Sequence, residues 1–186
     1  MSFAEYSLVF ISILVGYIVT VAMAGWGKLI KHFDTKTFSA LYLSWSLSLF
    51  FYLLFIWLWA FRGFSSNLDY LNSPSSLNFI IIRLLIIYFA IETLTPDEAA
   101  AGNFKNHFVT VARKFYIILI LLWLYELLLY PLTGHYDLSP RMLLYLINLP
   151  ISIALFFIRS SKLQLALALI CLGVQVYANI AVLEFL

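Results

Sequence analysis

Six stretches of this chain are apolar for long enough to cross a lipid bilayer, and nothing else limits the fold so strongly. They cover roughly residues 6–30, 39–61, 78–94, 115–133, 141–158 and 163–185. A helix needs about 17–25 residues to span the hydrocarbon core, and the third and fifth stretches lie near the lower bound. Lipid offers no hydrogen bonds to a bare backbone, so each run must satisfy its own N–H and C=O groups as a helix. Composition agrees. Of 186 residues, 64% are hydrophobic and only 11% charged, too few charges to cover a soluble domain. The expected fold is all-α: one transmembrane domain over residues 1–186, an integral membrane bundle of six transmembrane helices. Its first partner is the lipid bilayer. The net charge of +2 is too small to point to nucleic acid, and no length remains for a large soluble catalytic module.

Boundary residues carry helix-start chemistry. Asp34 and Thr35 precede the second run, Ser139-Pro140 the fifth, and Ser160-Ser161 the sixth; short polar side chains cap free N–H groups and proline suits the first helical position. Thr95-Pro96-Asp97-Glu98 fits a capping box. It predicts an amphipathic surface helix over about 96–113, between spans three and four. Phe104, Phe108 and Val111 fall on one face of that helix, with Lys105, Asn106, Arg113 and Lys114 around them. Ala22-Met23-Ala24 resembles a signal-cleavage pattern, but Glu5 precedes it and the nearest basic residues, Lys28 and Lys31, follow it. The first run is therefore expected to be a retained helix.

Basic residues set the orientation. Lys28, Lys31, Lys36, Lys105, Arg113, Lys114, Arg159 and Lys162 flank the odd-numbered loops, whereas the even ones have only Arg62 and Arg141. The odd loops are expected in the cytoplasm and both termini outside. Trp57, Trp59 and Phe61 at one end, and Trp26 at the other, suit the two interfacial aromatic belts.

Two sets of residues stand out within the spans. Ser12, Gly16, Thr20 and Ala24 recur every four residues on the first helix, a ridge over which another helix packs closely, within the bundle or in a homo-oligomer. Arg83 and Glu126 are charges at bilayer depth, which cost roughly 2.5–3.5 kcal/mol each when uncompensated. Each lies a few residues inside the same end of adjacent spans, so the two are expected to meet. Asn148, Gln175 and Asn179 share that depth. They are expected either to fix the bundle by hydrogen bonds or to line an outward cavity. In the second case a small polar or anionic solute would bind, with Arg83 as its anchor. Pro150 is expected to kink the fifth span.

Catalytic signals are absent. His32, His107 and His135 are read as loop residues, Cys171 is the only cysteine, and no zinc-protease, nucleophile-elbow or phosphate-loop motif occurs. No metal, cofactor or enzymatic activity is expected. The functional expectation is binding, sensing or transport of a small solute through the outer polar cluster. The alternative is a non-catalytic membrane subunit acting through oligomerisation or a cytoplasmic partner.

Glu5-Tyr6, Ser12-Ile13, Gly16, Gly25 and Leu29-Ile30, followed by Tyr88-Phe89, Leu94, Pro96-Asp97 and the aromatic-basic run from Phe108 to Phe115, resemble a broad group of uncharacterised small bacterial polytopic membrane proteins. The resemblance covers about the first two-thirds of the chain. It implies a bacterial inner-membrane location and assigns no functional residue.

Overall fold

The computed structural model describes residues 2–32, 39–65, 74–97, 103–129 and 140–183. They form six helices: α1 (Phe3–Lys31), α2 (Ala40–Ser65), α3 (Pro74–Leu94), α4 (Phe104–Leu129), α5 (Pro140–Phe157) and α6 (Ser161–Leu183). Five of these are long and apolar enough to cross a membrane. The apolar stretch of α5, Met142–Phe157, is shorter. All-helical, apolar architecture is thus what the hydropathy demanded.

Helix α2 is the hub. It packs on α1, α3, α4 and α6, while α3–α4, α4–α5, α5–α6 and α1–α3 contacts close the bundle around it. Its apolar window is 56% buried, against 28% for that of α1, which lies at the periphery. Two tryptophans tie α1 to α2. The Trp26 indole donates to Ser46 Oγ, and the Trp57 indole donates to Ser12 Oγ at 3.1 Å. Both were assigned to interfacial belts. Each spends its N–H on a helix–helix bond, since a donor without a partner is costly in lipid. These pairings run α1 and α2 antiparallel. Lys28 reaches the Pro96 carbonyl at 2.9 Å, setting the end of α1 beside the end of α3. That end, which also carries the starts of α2, α4 and α6, is called the basic end below.

Several expectations change. No separate surface helix occupies 104–113: this stretch is the first part of α4, which runs unbroken to Leu129. Its apolar face turns inward, not to the membrane surface. Phe104 packs on Tyr42 with ring centroids 4.8 Å apart, and Phe108 sits against Phe115 and Tyr116. No proline or glycine occurs between Asn103 and Leu129, so each further residue adds a backbone hydrogen bond at little cost. The cap is Asn103, whose Oδ1 accepts from Asn106 N at 3.0 Å. Thr95 instead bonds back to Ile91 O, and residues 98–102 lie outside the described residues. His107 is consequently helical rather than a loop residue. For α2 the cap is Ser39, whose Oγ accepts from Tyr42 N; Asp34 and Thr35 lie outside the described residues, as do Ser139 and His135. Ser2-Phe3-Ala4-Glu5 forms a full capping box on α1. Pro150 stands within a continuous α5.

The small-residue ridge points the other way. The buried face of α1 is Ser7, Ile11, Val15, Ile18, Ala22, Gly25 and Leu29. Gly16, Thr20 and Ala24 are exposed, and an added Cβ at Gly16 would meet nothing within 4 Å. Only Ser12 of the four touches α2. The close approach is made by Gly25 instead, where a Cβ would collide with the Tyr42 hydroxyl and crowd Thr95. Gly25→Ala is expected to lower stability by about 1–3 kcal/mol through overpacking. Adding Tyr42→Phe, which removes the colliding oxygen, should restore part of it. Thermal melts of the purified single and double variants in detergent check both.

Candidate functional site

Arg83 of α3 meets Glu126 of α4 in an ion pair between Nε and Oε1, with side chains 3% and 0% exposed. The helices hold this register with a second bond nearby: the Tyr125 hydroxyl donates to Phe79 O at 2.9 Å. Tyr52 of α2 lies close enough to Glu126, Arg83 and Tyr145 to interact electrostatically with all three. Trp123 packs edge-on against Tyr52, with ring centroids 4.9 Å apart, and next to Tyr145. The pair is therefore enclosed by aromatic side chains of α2, α4 and α5.

Asn148, Gln175 and Asn179 are buried too, and Asn148 and Asn179 bond to main chain. Asn148 Nδ2 donates to Leu144 O at 2.7 Å, and Ser152 Oγ to Asn148 O at 2.8 Å. Asn179 Nδ2 donates to Gln175 O and, across the helix interface, to Phe51 O, both at 2.8 Å. Asn179 thus pins α6 to α2 next to Tyr52. The side-chain oxygens of Asn148, Gln175 and Asn179 accept no hydrogen bond among the described residues.

The prominent cavity lies elsewhere. A partly open cleft of about 900 Å³ sits at the basic end, between the starts of α2, α4 and α6 and the end of α5. Lys105 and Arg113 project from α4, Arg159 from the α5–α6 connection and Lys162 from the first turn of α6; all four line the cleft and are exposed. Among the described residues, none of the four has an acidic partner. Two helix N-termini border the same space, at Ser39–Leu41 and Ser161–Lys162, adding the positive ends of their dipoles. The wall is apolar, from Phe108, Ala112, Leu155 and Leu165, and includes Tyr116. The Tyr116 hydroxyl, in a side chain 1% exposed, has no hydrogen-bond partner among the described residues. A second hollow of about 620 Å³, between Phe89, Leu121 and neighbours on α3 and α4, is almost wholly apolar. Neither space is lined by Arg83 or Glu126.

Sequence reasoning placed the charged pair and missed the cleft. Its four cations come from three segments, and each alone reads as an orientation signal; only their convergence marks a site. No group of three or more His, Cys, Asp or Glu side chains among the described residues is arranged to hold a metal ion. No family model, curated protein or solved structure matches the chain.

Both members of the pair are buried. Arg83→Ala or Glu126→Ala alone should cost about 3–5 kcal/mol by breaking a buried ion pair, whereas Arg83→Met with Glu126→Leu should recover most of that loss. Unfolding midpoints of the three purified variants measure it.

Proposed function

We propose that this protein is a six-span membrane protein that binds an anionic ligand in the cleft at its basic end. Both termini lie outside and the basic end faces the cytoplasm of a bacterial inner membrane. The observation that carries the reading is the convergence of Lys105, Arg113, Arg159 and Lys162 on one cavity without acidic partners among the described residues. Scattered basic residues satisfy the orientation rule equally well. Gathering four of them around a hollow raises their mutual repulsion, which a bound anion relieves. The α5 helix is 18 residues long, about 27 Å at the standard rise, which supports its counting as the sixth span.

Arg83, Glu126, Asn148, Gln175 and Asn179, first considered as a solute site, serve in this reading as the internal fastening of the bundle. Their burial and main-chain bonds support that role. The same enclosed layer lies between the cleft and the far end, which favours binding or sensing over a continuous path for a solute. No catalytic step is proposed.

The outward-facing Gly16, Thr20 and Ala24 favour a second reading, a homo-oligomeric membrane subunit. Small residues let lipid-facing helices approach closely.

Each reading has its measurement. In non-ionic detergent, at least one of pyrophosphate, glycerol phosphate or dioleoyl phosphatidylglycerol should raise the melting temperature. At a hundredfold excess over Kd the stabilisation is about 2.7 kcal/mol. It should shrink with added KCl and fall to about a third in Arg113→Gln/Arg159→Gln at the same ligand concentration; no stabilisation by any of the three refutes anion binding. Gly16→Leu should abolish cross-linked dimers if α1 forms an interface, and leave a monomer unchanged if it does not.

A further inference from the structure

The cleft pairs two chemistries that a small soluble anion does not use together. At its mouth are Lys105, Arg113, Arg159 and Lys162, with the N-terminus of α6. A phosphate there would meet guanidinium forks, ammonium groups and free backbone N–H groups at once. Behind them the surface is apolar. Phe108, Ala112, Leu155 and Leu165 line it, from helices whose remaining length is read as lying in lipid. A hydrated anion such as inorganic phosphate gains nothing from that wall.

An amphiphile uses both parts. Its charged headgroup would sit at the level of the cations and its chain would lie along the wall of α4 and α5. Position agrees as well: basic pockets between membrane helices on the cytoplasmic side suit anionic lipid headgroups. We infer that the ligand is lipid-borne, a phosphate-bearing amphiphile of the membrane leaflet at the basic end, held by its headgroup among the four cations and by its chain along the α4–α5 wall. This rests on the anion-binding reading above and narrows it to one class.

The test uses the full chain, purified and reconstituted in nanodiscs of dioleoyl phosphatidylcholine with a minor share of dioleoyl phosphatidylglycerol. Native mass spectrometry after release counts retained lipid, and glycerol phosphate serves as soluble competitor. The expected result is retained phosphatidylglycerol that glycerol phosphate does not displace. Arg113→Gln/Arg159→Gln should weaken retention about thirtyfold, two cations at about a factor of five each. Lys31→Gln/Lys114→Gln removes equal charge at the same end outside the cleft and should change nothing. Ala112→Trp fills the apolar wall, keeps all four cations, and should lose the lipid as fully as the arginine variant. A melt of each variant confirms folding.

Two outcomes overturn the inference separately. If glycerol phosphate binds as tightly as the lipid and Ala112→Trp still binds it, the site takes a soluble anion; lipid recognition fails while anion binding stands. If neither probe is retained by the folded wild-type protein, both readings fall. Equal loss in the Lys31→Gln/Lys114→Gln control would mean charge at the membrane surface rather than a site, and would also overturn it.

Discussion

Lipid cannot solvate Arg83 or Glu126, and the arrangement of the bundle follows from where each finds relief. The pair forces α3 and α4 into one register, because a slip of a single residue would turn one charge toward hydrocarbon. The Tyr125–Phe79 bond repeats that register half a turn away. Tyr52 and Trp123 then close over the pair and bring in α2, and Asn179 anchors α6 to the same stretch of α2. Van der Waals packing alone discriminates poorly among helix pairings in lipid, since chain tails are as apolar as the helices. A few buried polar bonds therefore carry much of the specificity here.

The two ends of the molecule divide the work. Toward the far end, polar groups are turned inward: Arg83 meets Glu126, and the amide groups of Asn148 and Asn179 donate to main-chain carbonyls. Toward the basic end, α2, α4, α5 and α6 part enough to leave a cleft, and cations stand around it unmatched among the described residues. Several hydroxyls, those of Ser7, Ser44 and Thr110 among them, bond back to the carbonyl four residues earlier, which satisfies their donors within their own helix. What is left over, electrostatically, is the cleft.

Hydropathy made the helices legible because lipid leaves the backbone one solution. Depth along adjacent spans made the Arg83–Glu126 meeting legible, because two charges at one level have few other places to go. Other features were hidden for physical reasons. A ridge of small residues suits a helix contact on whichever side it faces, and nothing within α1 says that Ile11, Val15 and Ile18 would claim the bundle instead. Phe104 and Phe108 beside lysines look interfacial until Tyr42 and the aromatics around Trp45 are known to stand opposite them. The cleft required tertiary structure outright, since Lys105 and Lys162 are far apart in sequence and adjacent only once α4 and α6 flank α2. The capping box at Ser2 and Glu5, by contrast, was written in the sequence as a plain S-x-x-E pattern.

The central claim is that water reaches the basic cleft and not the buried pair. Thiol labelling tests it most directly, in a Cys171→Ala background, with Ala112→Cys on the cleft wall and Leu122→Cys one turn from Glu126. Inverted membrane vesicles present the basic end to a membrane-impermeant reagent. The account predicts that Ala112→Cys reacts, faster with an anionic thiosulfonate than with a cationic one, and that Leu122→Cys stays unlabelled until the protein is denatured. Labelling of Leu122→Cys in the native protein, with Ala112→Cys protected, would contradict it and return the functional site to Arg83 and Glu126.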